Sequence, residues 1–294
     1  MTGLDPASPQ QAPGQGGGLA VRVASALVLA PLAFGVAYVG GSAFEVFWGV
    51  AALIVFWEWT SLVGDIDKRS VLVIGVAAIV LALLLVGGSM NADEALQELR
   101  LLAAVIVIAL GALVVGAFAP GGRRAFIAAG IPYAGAIGIA PSVLRFDAEY
   151  GFLAILFLFA VVWATDITAY FVGRAVGGPK LAPRWSPNKT WSGAIGGIVG
   201  AALAAIVLAR IAGLGSPIVL TMIAVALSVV AQAGDLFESA LKRRFGAKDS
   251  GHLIPGHGGA MDRLDGFVAA ATLAYVLGLL HGGIGAPARG LLVW

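Results

Sequence analysis

Long runs of apolar residues recur along the whole of this 294-residue chain, and they limit its possible folds more than any other feature. Each run is long enough to cross, as a helix, a hydrocarbon core of about 30 Å. The runs lack the alternation of apolar and polar residues that strands of a transmembrane barrel require. Hydrophobic residues make up 60% of the chain and charged residues 12%, which leaves too few polar side chains to cover a soluble core. The sequence therefore predicts an all-α, polytopic integral membrane protein.

About nine transmembrane helices are expected from the positions of these runs. The first 18 residues are rich in Pro, Gly and Gln, which predicts a disordered N-terminal tail. Residues 19–150 would then carry the N-terminal transmembrane helices. Residues 151–294 would form a C-terminal transmembrane catalytic region with cytoplasmic loops. The predicted spans are residues 23–40, 44–63, 71–88, 100–118, 125–143, 151–173, 193–212, 216–235 and 265–282.

The distribution of basic residues predicts the orientation in the membrane. All but four of the 18 Lys and Arg residues fall on the side of the predicted bundle that also holds the N-terminus. By the positive-inside rule this side faces the cytoplasm. We therefore expect a cytoplasmic N-terminus, an outer C-terminus and an active site that faces the cytoplasm from the plasma (inner) membrane. The four exceptions are Arg100, Arg145, Arg210 and Arg289.

Charged residues concentrate near the end of the chain, in the stretch GDLFESALKRRFGAKDSGHLIPGHGGAMDRLDG. Asp235, Glu238 and Lys242 recur there at helical spacing, so they share one face if the eighth helix continues through them. Asp262 and Asp265 lie three residues apart at the start of the ninth helix, so two acidic ladders can face each other. Gathered carboxylates repel unless cations lie between them. Oxygen ligands of this kind suit Mg²⁺, and a second cation is left open.

A basic, glycine-rich loop between the two ladders has the features of a phosphate site. Lys242, Arg243 and Lys248 supply positive charge. The glycines of PGHGG let backbone N–H groups point inward, so His257 and Gly258 are candidate phosphate contacts. Taken alone, such a basic run beside a span is more typical of a topogenic or lipid-binding patch. Together with the carboxylates it indicates phosphoryl or nucleotidyl transfer, because that chemistry depends on positioning and charge neutralisation.

Polar side chains elsewhere suggest further parts of a site. Asp166, in WATDITAYFVGR, lies inside an apolar span, where a carboxylate is costly and by default indicates function. The alternative is a hydrogen bond between helices, for example through Thr165. Glu58, in FWEWT, is also embedded and would serve either packing or the support of a site. The loop SPNKTWSG, with a Pro-containing turn, Lys189 and hydroxyls that include Ser186, is a candidate anion-binding segment.

The absence of cysteine narrows the available chemistry. It excludes disulfides, thiolate catalysis and cysteine-bound zinc or iron–sulfur clusters. Any catalysis must therefore rely on carboxylates, cations or hydroxyls.

Residues 239–265, SALKRRFGAKDSGHLIPGHGGAMDRLD, closely resemble the signature of the phosphatidate cytidylyltransferases, also called CDP-diacylglycerol synthases. GDLFE, WATDITAYFVGR and SPNKTWSG also look like motifs of that family, in the family's order. Family loops often read SPKKTWEG, and Asn188 and Ser192 depart from that pattern here. The N-terminal half is similar to the family only in being a string of apolar helices.

This resemblance implies an integral membrane enzyme that converts CTP and phosphatidic acid to CDP-diacylglycerol and pyrophosphate and requires Mg²⁺. It implies metal-binding, catalytic roles for Asp235 and Asp262, with Asp265, Glu238 and Asp166 as further candidates for the same shell. Lys242 and Arg263 would act at the reacting centre. The cations that would hold phosphates of CTP or of the lipid are Lys189, Lys242, Arg243, Lys248 and Arg263.

Two alternative functions stay open at this point. A transporter or channel could use Asp166 and Glu58 to line a path, although the inverted repeats of many transporters are not visible in the sequence. A related enzyme, such as a lipid kinase, could use another nucleotide or another phosphate acceptor. Among partners we expect membrane lipids beside the two substrates, we leave a homodimer open, and we expect no nucleic acid.

Overall fold

The computed structural model describes residues 15–64, 68–88, 93–119, 121–251, 253 and 258–294. Most of the predicted N-terminal tail lies outside this part of the chain. The residues of the tail that are described, 15–18, belong to the first helix. A helix extends past its apolar run because each residue added to an existing helix gains a backbone hydrogen bond.

Ten α-helices make up most of the described chain. They are α1 (Gln15–Val39), α2 (Gly41–Val63), α3 (Lys68–Gly87), α4 (Glu94–Phe118), α5 (Arg124–Arg145), α6 (Gly151–Val176), α7 (Trp191–Ile211), α8 (Pro217–Arg244), α9 (Met261–Gly282) and α10 (Pro287–Leu292). Helices α2 to α9 are each long and apolar enough to cross a membrane, and α1 holds a shorter apolar stretch, Leu27–Val39. The all-α, polytopic membrane architecture is therefore confirmed, while the orientation of the termini stays a prediction.

Helix α8 continues well past the apolar span predicted at residues 216–235. Its last turn contains Lys242, Arg243 and Arg244. Basic side chains are favourable there because the carbonyl end of a helix carries a partial negative charge. The extension places the acidic and basic residues of the first predicted ladder on a continuous helix.

A small β-hairpin joins α6 to α7. Strand β1 (Lys180–Ala182) pairs antiparallel with strand β2 (Ser186–Thr190), with Lys180 opposite Thr190. The segment SPNKT is thus a strand, and the turn predicted within it is wrong. Pro187 fits this strand because a two-stranded ribbon leaves edge positions that need no N–H donor. Thr190 then caps α7, its hydroxyl accepting a hydrogen bond from the Gly193 N–H at 3.1 Å.

Helices α6 and α7 pack in close contact through glycines of α7. A Cβ at Gly193 would lie 2.8 Å from the carbonyl oxygen of Ala169, and one at Gly197 would lie 3.1 Å from that of Thr165. Small residues let membrane helices approach closely in this way. The close packing brings the polar end of α6 beside the hairpin and the start of α7.

Arginine side chains satisfy carbonyl groups where neighbouring helices end. Arg123, just before α5, donates to the carbonyl oxygens of Val63 and Gly64 at 2.8 and 3.0 Å. Arg145, at the other end of α5, donates to the carbonyl oxygens of Ala37 and Tyr38 at 2.7 and 3.2 Å. The last carbonyls of a helix lack partners within it, so these arginines bind α5 to both α1 and α2.

The N-terminal and C-terminal helices share one hydrophobic core. Trp48 of α2 stacks on Phe267 of α9, with ring centroids 4.8 Å apart and planes at 10°. Phe34 of α1 meets the edge of Trp163 of α6, with centroids 5.3 Å apart. The boundary predicted near residue 150 therefore divides the chain in sequence, while its two halves pack against each other. The short helix α10, which no apolar run predicted, packs on α9.

Candidate active site

A cavity of about 840 Å³ opens at one end of the helix bundle. This is the end where α6 and α8 finish and where α7 and α9 begin, and the hairpin forms part of its wall. Its volume is in the range of pockets that hold small molecules. A site at this end of membrane-spanning helices is open to solutes and close to lipid.

The cavity wall is strongly charged. Among the described residues it carries six carboxylates and five cationic side chains, so positive and negative groups nearly balance. The carboxylates are those of Asp166, Asp235, Glu238, Asp249, Asp262 and Asp265, and the cations are those of Arg174, Lys180, Lys189, Lys242 and Arg263.

Asp262 lies at the first turn of α9 and is held by several donors. Its Oδ2 accepts hydrogen bonds from the Gly259 N–H at 2.8 Å, the Ser250 N–H at 3.0 Å and the Ser250 hydroxyl at 2.9 Å. Its Oδ1 accepts from Lys242 Nζ at 2.6 Å. Charge-assisted bonds of this kind are stronger than bonds between neutral groups, so the carboxylate has a fixed orientation.

Lys242 joins the two acidic ladders. Its Nζ also donates to Glu238 Oε2 at 2.8 Å, one turn earlier on α8. The side chains of Lys242, Glu238 and Asp262 are 11%, 1% and 8% exposed, so this cation lies between two buried carboxylates. The ladders predicted on α8 and α9 thus do face each other.

A second pair of acidic residues belongs to the same site. Glu238 of α8 and Asp265 of α9 both line the cavity. The Oε1 atom of Glu238 is buried and accepts no hydrogen bond within the described part of the chain. Carboxylates that share one site repel unless a proton or a cation lies between them. This pair is therefore suited to a positive ligand.

Lys189 and Asp235 form an ion pair between the hairpin and α8. Both side chains remain about one-third exposed, at 31% and 33%. The Ser239 hydroxyl also lies 3.4 Å from Asp235 Oδ1. Because the pair faces the cavity and is partly solvated, its two members can exchange partners when a ligand arrives.

The N-terminal half also reaches this region, through Glu58 of α2. Its side chain is fully buried. Its carboxylate oxygens accept hydrogen bonds from the backbone N–H groups of Ala260 and Met261 at 2.9 and 2.8 Å. The Ser250 hydroxyl, which also bonds Asp262, lies 3.3 Å from Glu58 Oε2. Glu58 is therefore in contact with the segment that presents Asp262.

Residues 20–281 match a protein family described as the cytidylyltransferase family. The chain belongs to this family. The resemblance predicted from the motif at residues 239–265 is therefore confirmed, and the match extends through the N-terminal helices.

Individual relatives agree with the family match. A phosphatidate cytidylyltransferase of Brucella abortus biovar 1 (strain 9-941) is 46% identical over 267 residues, which are 89% of this chain and 94% of the relative. A protein of the same name from Bacillus subtilis (strain 168) is 48% identical over 130 residues, 44% of this chain and 48% of the relative. Another, from Haemophilus influenzae, is 44% identical over 132 residues, 42% of this chain and 45% of the relative.

In this family member, the structure brings most of the sequence-predicted site residues together around the cavity. Gly258 does not line the cavity but touches Asp262, since a Cβ there would lie 2.6 Å from Asp262 Oδ2. Ser186, Arg243 and Lys248 do not line it either. His257 lies outside the described residues. The predicted residues that line the cavity are Asp166, Lys189, Asp235, Glu238, Lys242, Asp262, Arg263 and Asp265.

The alternative considered for the Asp166 region is also present. The Thr165 hydroxyl lies 2.9 Å from the Ser228 hydroxyl and joins α6 to α8. Asp166 itself lines the cavity. Thr165, which makes the hydrogen bond between helices, and Asp166, which lines the cavity, are thus adjacent residues of α6.

Several cavity residues were not predicted from the sequence. Arg174 and Lys180 are among the basic residues that were used only to predict the orientation in the membrane, although Arg174 ends the motif WATDITAYFVGR. Gln232 had no special signal. Asp249 lies inside the family signature, and that position is what could have identified it. The same position could have identified Ser250, which does not line the cavity but donates to Asp262.

The donor atoms of this site fit a hard cation such as Mg²⁺. Carboxylate oxygens are the ligands that Mg²⁺ prefers. The Oε1 atom of Glu238, which is buried and accepts no hydrogen bond from the described residues, is such a donor. Within the described residues, however, no three acidic or histidine side chains are gathered closely enough to hold a metal ion. Lys189 and Lys242 lie against Asp235 and Asp262 instead. The side chains therefore provide the type of oxygen ligand that Mg²⁺ prefers. In this structure, lysines contact two of these carboxylates.

Proposed function

We propose that this protein is a phosphatidate cytidylyltransferase, which joins the cytidylyl group of CTP to phosphatidic acid and releases pyrophosphate. The observation that carries the proposal is the cavity at the ends of α6 to α9, where carboxylates and cations meet in a chain of the cytidylyltransferase family. A relative named for this activity aligns over 94% of its length, which supports the choice of both substrates.

The reaction forms one phosphorus–oxygen bond and breaks another. A phosphate oxygen of phosphatidic acid attacks the α-phosphorus of CTP, and pyrophosphate leaves with the oxygen that bridged the α- and β-phosphorus atoms. A phosphate monoester has a second pKa of about 6, so phosphatidic acid is largely a dianion at neutral pH. It therefore needs no general base, and the main obstacle is the repulsion between two anions.

The cations of the cavity are suited to reduce this repulsion. Lys189 is partly exposed and is paired with Asp235, so a phosphate group can replace that carboxylate as its partner. Arg263, Arg174 and Lys180 line the same cavity and carry charge that substrate phosphates can use. Each would hold a phosphate in place rather than transfer a proton.

Lys242 has a different role because it is bonded to two buried carboxylates. It orients Asp262 and Glu238, and its charge lowers the cost of placing them close together. We therefore assign Lys242 a role at the reacting centre, which it performs by orienting these carboxylates. Arg243 and Lys248, which do not line the cavity, would act only on approaching anions.

Asp235 and Asp262 are the residues that would hold Mg²⁺, with Glu238 and Asp265 as further oxygen donors. Bound Mg²⁺ supplies Lewis-acid charge neutralisation at the reacting phosphates. Four carboxylates offer enough oxygen atoms for a second cation as well. Because carboxylates and cations nearly balance in the wall, the cavity's own cations cannot by themselves neutralise the added negative charge of the two substrates, and Mg²⁺ would supply the remainder.

A lipid substrate fits the position of the cavity. Tyr170 lines it and is exposed, and the neighbouring apolar side chains of Phe171, Trp191 and Ile195 on α6 and α7 are exposed as well. Acyl chains of phosphatidic acid and of membrane lipids can lie along this surface while the phosphate enters the cavity.

The excess of basic residues at this end supports a cytoplasmic site in the plasma (inner) membrane. A homodimer stays an expectation.

Pyrophosphate release from the detergent-solubilised protein tests the function. Release should require CTP, phosphatidic acid and Mg²⁺ together, and ATP should not replace CTP. The variant Asp262→Asn should fold, by gel filtration and thermal unfolding, yet turn over at least about 100-fold more slowly, because charge stabilisation of this kind is worth several kcal/mol. Folded wild-type protein without lipid-dependent release, or an Asp262→Asn variant with unchanged release, would contradict the proposal.

A further inference from the structure

Glu58 is a buried carboxylate that belongs to the N-terminal half and does not line the cavity. It lies near the end of α2, and its hydrogen-bond partners are 192 to 203 residues away in sequence. No ion pair joins it to a cation within the described part of the chain. A buried charge without a cation needs several hydrogen-bond donors to be tolerated, and these partners therefore define its role.

The donors to Glu58 are the first amides of α9. Ala260 is the N-cap residue of this helix and Met261 its first residue, and their N–H groups donate to Oε1 and Oε2. The first N–H groups of a helix have no partner inside it. The N-cap of α9 provides no capping side chain of its own. Glu58 supplies the missing N-cap from another helix, α2. Its negative charge interacts favourably with the partial positive charge at the start of α9.

Glu58 and Asp262 share the same short segment. Three consecutive backbone amides are divided between them, since the Gly259 N–H donates to Asp262 and the next two donate to Glu58. The Ser250 hydroxyl lies between the two carboxylates, 2.9 Å from Asp262 Oδ2 and 3.3 Å from Glu58 Oε2. A displacement of Glu58 would therefore move the groups that orient Asp262.

The segment encloses Glu58 without spare room. A Cβ at Gly259 would lie 2.6 Å from both carboxylate oxygens, and one at Gly251 would lie 2.9 Å from Oε1. Both distances are shorter than a Cβ can tolerate, so glycine lets the backbone approach this closely. Such an enclosure fixes the position of the segment relative to α2.

We propose that Glu58 is a positioning residue for the reaction: it fixes the start of α9 and Ser250, and through them the orientation of Asp262. The inference rests on the proposed cytidylyltransferase activity and assigns α2 a part in it. Glu58 does not line the cavity, and it acts on the geometry of a carboxylate that does.

The substitution Glu58→Gln tests this role because it keeps the shape of the side chain. One of its two terminal groups becomes NH₂ and must face a backbone N–H, which loses an acceptor. We expect kcat to fall about 10- to 100-fold, the usual effect of losing a group that orients a metal-binding residue. KM for CTP and phosphatidic acid should stay within about 2-fold, since the cavity cations are untouched, and the Mg²⁺ concentration for half-maximal rate should rise.

Glu45→Gln is the matched control. Glu45 lies on the same helix, about 20 Å along its axis from Glu58, and its Oε1 has no hydrogen-bond partner in the described part of the chain. This variant should keep the wild-type kcat, KM and Mg²⁺ dependence. Equal losses in both variants would mean that any loss of charge in α2 lowers activity, and the positioning role would be rejected.

Ser250→Ala tests the link between Glu58 and Asp262 at the Ser250 hydroxyl. It keeps the inference testable if Glu58→Gln does not fold. It should lower kcat by a smaller factor without changing KM. The double variant Glu58→Gln, Ser250→Ala should lose less than the product of the two single effects, because both act on Asp262. Wild-type kcat in folded Ser250→Ala and Glu58→Gln would overturn the inference.

Hydrogen exchange separates this inference from the proposed function. Amides of residues 259–261 should exchange faster in Glu58→Gln than in wild type and should be unchanged in Glu45→Gln. If wild-type protein showed no lipid-dependent release, the proposed function would fail while the exchange result still tested the contact. Unchanged exchange at these amides would reject the contact, and with it the inference, whatever the activity.

Discussion

Lys242 Nζ lies 2.6 Å from Asp262 Oδ1 and 2.8 Å from Glu238 Oε2, so one cation joins the last turns of α8 to the first turn of α9. Both carboxylates are almost fully buried. Charged groups of one sign cannot be placed this close inside a membrane protein without a counter-charge. The lysine therefore stabilises the very arrangement that the proposed chemistry needs.

Lys242→Met should reduce both stability and activity. Methionine keeps most of the length of the side chain but leaves Glu238 and Asp262 facing each other without a cation. Breaking a buried pair costs roughly 3 kcal/mol, which should lower the unfolding temperature by roughly 5 °C or more. Turnover should fall at least about 10-fold, as Asp262 loses a partner that orients it.

The matched control for Lys242→Met is Arg210→Met. Arg210 is an exposed cation in the last turn of α7, at the opposite end of the bundle. Thermal unfolding and pyrophosphate release should both stay close to wild type in this variant. An unfolding temperature of Lys242→Met equal to that of wild type would show that the buried ion pairs do not stabilise the site.

Gly258→Ala should disturb Asp262 directly. Gly258 has φ of 83°, which alanine rarely adopts, and its added Cβ would lie 2.6 Å from Asp262 Oδ2. We expect a loss of stability of about 1 kcal/mol from the backbone and a fall in pyrophosphate release of about 10-fold from the displaced carboxylate.

Gly246→Ala separates these two effects. Gly246 also has a left-handed backbone, with φ of 73°, but nothing lies within 4 Å of an added Cβ. It should therefore lose similar stability and keep its turnover. If both variants lost turnover equally, backbone strain in this region would be the cause rather than contact with Asp262.

The transmembrane helices and the charged ladders could be predicted from the sequence because both depend on local patterns. Apolar runs predicted the long helices, although α1 begins well before its predicted span and α8 ends well after its own. Helical spacing placed Glu238 and Lys242 on one face. The contact between Glu58 and Met261 could not be predicted, since 203 residues separate them and nothing local links the two. The hairpin was missed because Pro187 disfavours a strand in local reasoning.

Pyrophosphate release should require Mg²⁺, and its Mg²⁺ dependence should change when carboxylates of either ladder are replaced. Protein treated with EDTA should release no pyrophosphate, and added Mg²⁺ should restore the reaction. Asp235→Asn should raise the Mg²⁺ concentration needed for half-maximal rate, because a carboxylate binds this cation more strongly than an amide does. Full activity in EDTA, or unchanged Mg²⁺ dependence in Asp235→Asn, would remove Asp235 from the proposed metal ligands.

Cysteine labelling should show that the cavity faces the cytoplasm. The natural chain has no cysteine, so each single substitution gives one reactive site. Arg184 lies in the turn of the hairpin beside the cavity, and Glu149 lies between α5 and α6 at the opposite end; both are exposed. In intact cells a membrane-impermeant maleimide should label Glu149→Cys and leave Arg184→Cys unlabelled until the cells are opened, since basic loops are retained in the cytoplasm. The reverse pattern would place the cavity outside, away from cytoplasmic CTP, and would contradict both the orientation and the proposed access of the nucleotide.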